Sequence, residues 1–180
     1  MTIPTRKWVQ RTDLLANLLT VAVAIIFLSL ITYRYLIPTS SNLGLEHSAI
    51  GTRFGVGQLS PTFDPAKTEK SLLLVLMKGC RFCEASMGFY ASLLKESRDR
   101  RDIQLIIIFP ERTNREDVEP YLSKYGLAGA AVSFVQLEDI DVSATPTLIA
   151  VDSRGEVKRG WVGLLDSAQE AEVKKFVFSN

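Results

Sequence analysis

The sequence predicts a three-layer α/β/α domain with a mixed central sheet, preceded by one transmembrane helix. Three patterns predict it: a long uncharged apolar run near the N-terminus, two continuous apolar runs separated by a helical pattern, and two short runs joined by a turn that contains glycine. The chain has 180 residues, of which 47% are hydrophobic. That composition is sufficient for one domain with a substantial core and an additional apolar segment.

The apolar run Leu14–Tyr33 contains no charged residue. As a helix that rises about 1.5 Å per residue it would extend about 30 Å, which is the thickness of the hydrocarbon core of a bilayer. A cleaved signal peptide would have a shorter apolar region, of about 7 to 15 residues, followed by a small-residue cleavage site, whereas Arg34 and Tyr35 follow this run. A buried core helix would carry a polar face, which the run lacks. We therefore expect an uncleaved transmembrane helix over residues 14–36.

Basic residues are more numerous before the predicted span than directly after it: Arg6, Lys7 and Arg11 precede it, and Arg34 follows. Because basic flanks tend to stay in the cytoplasm, we expect residues 1–13 to form a cytoplasmic tail. The rest of the chain, with both cysteines, would then face the periplasm or the cell exterior from a bacterial inner membrane. That compartment is oxidising.

Residues 37–49 are rich in small and polar types and predict a linker, which contains the single histidine, His47. Residues 50–180 form the predicted outer domain. The 21 basic residues of the chain nearly balance its 20 acidic ones, whereas a protein that binds nucleic acid usually concentrates positive charge on one surface. We therefore expect no nucleic-acid partner.

The outer domain begins with a strand, a helix and a second strand. The run Ser71–Met77 is continuously apolar, as is Ile103–Phe109, and such runs are typical of strands covered on both faces. The segment between them, Arg81–Ser97, has apolar residues at helical spacing: Cys83, Met87, Tyr90 and Leu94. A helical crossover of this length predicts that the two strands are parallel.

A short helix is expected at about Glu119–Tyr125. Pro120 would lie in its first turn, where a missing N–H is tolerated, and Gly126 would end it.

The C-terminal third predicts a hairpin and a last helix. Thr147–Asp152 and Glu156–Val162 read as two strands joined by a short turn that contains glycine, which predicts an antiparallel pair. Ser167 and Glu170 have the spacing of a capping box and predict the start of the final helix.

The two cysteines of the chain, Cys80 and Cys83, form a C-x-x-C motif between the first strand and the first helix of this domain. Free backbone N–H groups and the helix dipole favour an anion at such a position, and this setting lowers a thiol pKa from about 8.5 to between about 3.5 and 7.5. Lys78 and Arg81 would lower the pKa of Cys80 further. We predict that Cys80 is the nucleophile and that the more buried Cys83 resolves the mixed disulfide.

Two other interpretations of the pair are considered. A permanent disulfide would close a very small loop and restrain the unfolded chain little, so a non-catalytic binding module with a structural disulfide is the alternative function. A zinc site needs four ligands, and the chain offers two cysteines and one distant histidine. We expect no metal and no cofactor beyond the Cys80–Cys83 pair.

The order of strand, C-x-x-C, helix, strand, Thr-Pro, hairpin and final helix resembles the thioredoxin fold. The stretch Ala144–Thr147 matches the cis-proline loop of that family, which faces the cysteine pair and pairs its backbone with the substrate. The resemblance therefore implies that Thr145 and Pro146 bind substrate. The long separation between Cys80 and Pro146 is similar to that of membrane-anchored TlpA-like and ResA-like redoxins, which carry an extra helix and strand there.

The chain departs from these families at three positions. Gly79 replaces the usual Trp before the first cysteine, Gly88 replaces the proline that kinks the active-site helix, and Ser86 replaces the acidic residue of TlpA-like proteins. The strand before the motif also offers no carboxylate to accept a proton from Cys83.

The resemblance implies a thiol–disulfide oxidoreductase that acts on protein thiols or disulfides, with an inner-membrane electron carrier as a partner if it works as a reductase. The sequence leaves the direction of electron flow open. A peroxiredoxin-like peroxidase is a weaker alternative, because that pattern places Thr or Ser three residues before the reactive cysteine, where this chain has Met77.

Overall fold

The computed structural model describes residues 18–29, 51–55, 57–59 and 63–179. The chain divides into two compact units, Met1–Ser40 and Ser41–Asn180.

In the first unit, residues 18–29 form a helix, α1, within the predicted span. No helix in the described ranges is long and apolar enough to cross a bilayer. The predicted tail (1–13), both ends of the predicted span and the linker (37–49) lie outside the described residues. The transmembrane helix therefore stays a prediction.

The second unit is built on a five-stranded sheet in the order β3-β2-β1-β4-β5. Its strands are β1 (Lys70–Val75), β2 (Ile103–Pro110), β3 (Ala131–Val135), β4 (Thr147–Asp152) and β5 (Val157–Val162). The β1, β2 and β3 strands run parallel, whereas β4 pairs antiparallel with both β1 and β5. The predicted mixed sheet, with a parallel first pair and an antiparallel hairpin, is confirmed.

Three helices accompany the sheet: α2 (Arg81–Arg98), α3 (Val118–Lys124) and α4 (Ser167–Phe178). The short helix predicted at Glu119–Tyr125 lies one residue earlier, with Pro120 in its first turn. The final helix starts where expected, but its capping box is formed by Asp166 and Gln169 and not by Ser167 and Glu170. The Asp166 carboxylate accepts the Gln169 N–H at 2.8 Å, and aspartate is a strong N-cap residue.

The central strands carry long apolar runs because each of them lines two cores. Leu72 and Leu74 of β1 belong to a core shared with α2, α3 and α4, while Leu73 and Val75 belong to a core on the opposite face. Successive side chains of a strand point to opposite faces, so a strand covered on both sides shows no polar alternation.

Among the described residues, the α-helices contribute to the core on one face of the sheet and none contributes to the core on the opposite face, so one helical layer of the predicted three-layer arrangement is seen. Within the described residues, the opposite face is covered by Phe54, Leu59 and Phe63 and by residues of the 3-10 turn Leu137–Ile140 and its neighbours. Right-handed crossovers from β1 to β2 and from β2 to β3 move in the same direction across the sheet, so α2 and α3 lie on one face. Large aromatic side chains on extended chain cover the other.

Candidate active site

The first cysteine lies at the junction of β1 and α2. Gly79 turns the chain there with a φ of +78°, a conformation that glycine adopts without a Cβ clash. Cys80 is the N-cap residue of α2, and its sulfur accepts a hydrogen bond from the backbone N–H of Cys83 at 3.2 Å. The sulfur therefore satisfies one of the N–H groups that the start of a helix leaves free.

The two sulfurs differ in exposure and in acidity. Both cysteines are free thiols; Cys80 is partly exposed and Cys83 is buried, as predicted. Partial burial raises the pKa of the Cys80 thiol, but hydrogen bonds from the Cys83 thiol and from the backbone N–H groups of Cys83 and Phe82 outweigh it, so this pKa lies below its ordinary value. Burial raises the pKa of the Cys83 thiol to about 12, and the hydrogen bond to Cys80 acts in the same direction. Cys80 is therefore the sulfur more readily ionised.

The loop before β4 faces the first cysteine. The Cys80 Sγ lies 3.5 Å from the carbonyl oxygen of Thr145, and the Thr145–Pro146 peptide bond is cis. The loop is held from two sides, because the Pro146 carbonyl accepts the Gly163 N–H at 2.8 Å and the Thr147 hydroxyl donates to the Ala144 carbonyl at 2.8 Å. The cysteine and the Thr-Pro loop, distant in sequence, are thus brought together.

Comparison with known proteins identifies the fold. No protein-family profile matches the chain, and no curated protein sequence is recognisably similar to it. Solved structures do match. A thiol-disulfide isomerase from Corynebacterium glutamicum aligns with a TM-score of 0.53 at 15% identity, over 80% of this chain and 99% of that one. The domain has the thioredoxin fold.

Two further structures give the same result. A thiol:disulfide interchange protein from Bacteroides sp. aligns with a TM-score of 0.52 at 17% identity, over 71% of this chain and 85% of that one. A thiol:disulfide interchange protein of the thioredoxin family from Chlorobium tepidum aligns with a TM-score of 0.51 at 17% identity, over 62% and 81% of the two chains. Identities this low show the thioredoxin fold and not the activity.

The two basic residues beside the motif have contacts of their own in this thioredoxin fold. The Lys78 ammonium pairs with the Asp117 carboxylate at 2.7 Å, and its hydrogen bond lowers the pKa of Asp117. The Arg81 guanidinium lies over the Phe82 ring, 4.6 Å from its centroid. The tuning of the Cys80 thiolate by Lys78 and Arg81 stays a prediction.

Three exposed apolar side chains lie along the chain beside the site, and we call them the apolar rim: Met77, Phe82 and Leu164, with exposed fractions of 46%, 43% and 52%. Met77 accepts the Cys80 N–H through its carbonyl, Phe82 stands between the cysteines, and Leu164 follows the glycine that binds Pro146. This rim was not predicted from the sequence. Met77 was included in the predicted first strand as a covered residue, but β1 ends at Val75 and Met77 is exposed. Leu164 lies just beyond the end of β5.

The surroundings of Cys83 are neutral. The buried polar residues in the described part of the chain include serines and one threonine and no carboxylate, and Glu84 is exposed. The Ser86 hydroxyl donates to the Phe82 carbonyl at 3.0 Å. The described residues contain no group of three or more His, Cys, Asp or Glu side chains placed to hold a metal ion. Among the described residues, therefore, no buried carboxylate is available to receive a proton from Cys83.

Proposed function

We propose that the protein is a membrane-anchored thiol–disulfide oxidoreductase that exchanges disulfides with protein substrates through Cys80 and Cys83. One observation carries the proposal: a partly exposed sulfur of lowered pKa and a buried sulfur of raised pKa share a hydrogen bond on the first turn of one helix. A thiolate is the nucleophile of disulfide exchange. The pair thus has one sulfur suited to attack a visiting substrate and one suited to act afterwards.

The reaction has two displacements. The Cys80 thiolate attacks one sulfur of a substrate disulfide, which forms a Cys80–substrate disulfide and releases the other substrate sulfur as a thiolate. Cys83 then loses its proton and attacks Cys80, which forms the Cys80–Cys83 disulfide and releases the remaining substrate sulfur. Two electrons pass from the cysteine pair to the substrate. The same steps in reverse oxidise a substrate dithiol.

The Thr-Pro loop and the apolar rim support a protein as the substrate. The Thr145 carbonyl beside the Cys80 sulfur gives an extended substrate segment a backbone group next to the reacting atom. Exposed large apolar side chains that flank the site residues along the chain favour contact with a protein substrate. Thr145 and Pro146 would bind the substrate backbone, and the rim would contact the side chains that flank the substrate cysteine.

The membrane anchor and the location outside the cytoplasm belong to the same proposal. The large apolar side chains of residues 18–29 are 57–70% exposed, and an apolar helix surface of this kind needs an apolar environment to cover it. For a reductase in an oxidising compartment, the Cys80–Cys83 disulfide has to be reduced again after each turnover. We propose a membrane electron carrier as the source of those electrons.

Trapping of the mixed disulfide tests the proposal. In the Cys83→Ser variant the second displacement cannot occur, so substrates are expected to stay attached to Cys80. Gels without reductant should show high-mass adducts that disappear with reductant and that are missing from the double variant Cys80→Ser/Cys83→Ser. Absence of adducts in the single variant would contradict the mechanism. A reduction potential of the pair below about −300 mV would instead favour a structural disulfide in a non-catalytic binding module.

A further inference from the structure

A groove lies at the edge of the sheet where the parallel strands β1, β2 and β3 end. It consists of two cavities of about 420 and 410 Å³. Glu111, Val135 and Gln136 line both cavities, so the two adjoin, and we call them together the β2–β3 groove. Cavities of about 300–1,000 Å³ are typical of ligand sites, and ligands of open α/β sheets bind outside the carboxyl ends of the strands. The β2–β3 groove meets both conditions.

The walls of the groove are the turns that follow β2 and β3. The backbone N–H of Glu111 donates to the Val135 carbonyl at 2.9 Å and joins the two walls. The first wall is closed by the Thr113 N–H, which donates to the Pro110 carbonyl at 2.9 Å, and the second contains the 3-10 turn Leu137–Ile140. Backbone hydrogen bonds thus fix the groove before a ligand binds, and binding to a preformed site loses little conformational entropy.

One end of the groove lies beside the reacting cysteine. Met77 of the apolar rim lines one of the two cavities, and its carbonyl accepts the N–H of Cys80 at 3.2 Å. Pro110, Val135 and Leu137 add apolar surface to the same cavity. A substrate segment joined to the Cys80 sulfur would therefore pass from the apolar rim into the groove.

The charged side chains that line the groove are mainly acidic. Glu111 and Glu138 line the cavity near Met77, together with Arg112. The other cavity is lined by Glu111 and Asp139 and, among the described residues, by no basic side chain. All three acidic residues are exposed, and none of them belongs to an ion pair within the described part of the chain.

This charge selects the kind of ligand. Carboxylates at a surface repel anionic ligands and attract ammonium and guanidinium groups. Two further cations of the chain lie near the groove and have partners of their own. The Arg115 guanidinium lies over the Phe134 ring, 4.5 Å from its centroid, and Lys78 pairs with Asp117 at 2.7 Å. The groove therefore suits a ligand that brings its own positive charge.

We propose that the β2–β3 groove binds the substrate polypeptide beside its reacting cysteine and selects segments that carry an apolar residue near this cysteine and lysine or arginine farther along. The apolar residue would contact Met77 and Leu137, and the basic side chain would pair with Glu111 or Asp139. This inference rests on the exchange reaction proposed above and adds its substrate class, which is an extended, basic polypeptide.

Three synthetic peptides test the preference. Each has one cysteine, held as a disulfide with 2-thiopyridine, flanked on both sides by leucine and then by two lysines, two glutamines or two glutamates. The Cys80 thiolate of the reduced full-length protein attacks the peptide sulfur, forms the Cys80–peptide disulfide and releases thiopyridone, which stopped-flow absorbance follows. At low salt the lysine peptide should react about 10-fold faster than the glutamate peptide. This ratio should shrink at high salt, because ions screen exposed charges.

Variants of the groove then change the ratio of the two rates. Glu111→Gln should lower it by about 1.5- to 5-fold, the range for one exposed ion pair. The double variant Glu111→Lys/Asp139→Lys should reverse the preference, so that the glutamate peptide becomes the faster one. Glu119→Gln removes an exposed carboxylate of α3 that lines neither cavity and should leave the ratio as it is. General damage to Cys80 would slow all peptides alike, so it would not alter the ratio.

The outcomes separate this inference from the proposed function. Equal rates for the three peptides, or a lysine preference that survives the double charge reversal, overturn the inference and leave the exchange reaction standing. A lysine preference that is lost as the protein concentration rises would mean that a second copy of the chain occupies the groove, which also overturns it. Absence of thiopyridone release from every peptide and from 2,2′-dithiodipyridine would instead refute the role of Cys80 and with it the proposed function.

Discussion

The unequal acidity of the two cysteines makes a quantitative prediction for alkylation. With a pKa of about 12, about one Cys83 thiol in 10⁵ is ionised at about pH 7, against about one in 30 for a cysteine of ordinary pKa near 8.5. Alkylating agents react with the thiolate. Cys83 should therefore react about 10³-fold more slowly than an ordinary cysteine, even before its burial is taken into account.

The assay uses the Cys80→Ser variant and iodoacetamide, with mass spectrometry to follow Cys83 as the pH is raised. Serine is an N-cap residue and should keep the start of α2 intact. The rate should rise about tenfold per pH unit up to at least pH 10, because burial, the largest cause of the raised pKa, is unaffected by the change. In the matched Cys83→Ser variant, the rate for Cys80 should level off at a lower pH than that of an ordinary cysteine, because its pKa is lowered. A plateau for Cys83 near pH 8.5 would refute the assignment of roles.

Three more outcomes are expected. Gly155→Ala should lower the free energy of unfolding by about 1–3 kcal/mol, because the added Cβ would lie 2.1 Å from the backbone oxygen of Phe54. The control Gly163→Ala also has a positive φ but open space around its Cβ. It should lower the free energy of unfolding by less, as measured by denaturant titration. Arg81→Met removes a cation next to the motif, so the alkylation profile of Cys80 should move to higher pH. Leu164→Glu should slow mixed-disulfide formation with protein substrates and leave the reaction with 2,2′-dithiodipyridine unchanged; slowing of both would argue against the rim.

Much of the fold could be predicted because most helices and strands carry the pattern of apolar residues that defines them within their own segment. β1 is apolar on both faces, and α2 has its apolar residues at helical spacing, so each could be placed from the sequence. The hairpin of β4 and β5 could be predicted because a short turn that contains glycine separates its two strands. By contrast, β3 was not placed from its residues: it is a five-residue edge strand, and four of its residues are only half-buried. Such a strand shows neither a continuous apolar run nor a clear alternation.

The site was predicted in part for the same reason. The position of Cys80 at the start of a helix is local in sequence. The contact of Lys78 with Asp117 spans 39 positions, and nothing near Lys78 indicates that its charge is engaged elsewhere. The Tyr121 hydroxyl, which is buried and has no hydrogen-bond partner among the described residues, is equally unpredictable from the sequence, because a tyrosine with a partner and one without look the same. Contacts between residues that are distant in sequence determine the surroundings of Lys78 and of Tyr121, and the local sequence does not reveal them.

The Cys80 sulfur, which is the proposed nucleophile, also caps the N-terminus of α2. When Cys80 ionises, the bond from the Cys83 amide to it strengthens; when Cys80 becomes part of a disulfide, that amide is left with a weaker acceptor. Hydrogen exchange at one backbone position is thus an intrinsic reporter of the oxidation state of the protein. A change in the oxidation state of Cys80 is therefore also a change in the capping of the first turn of α2.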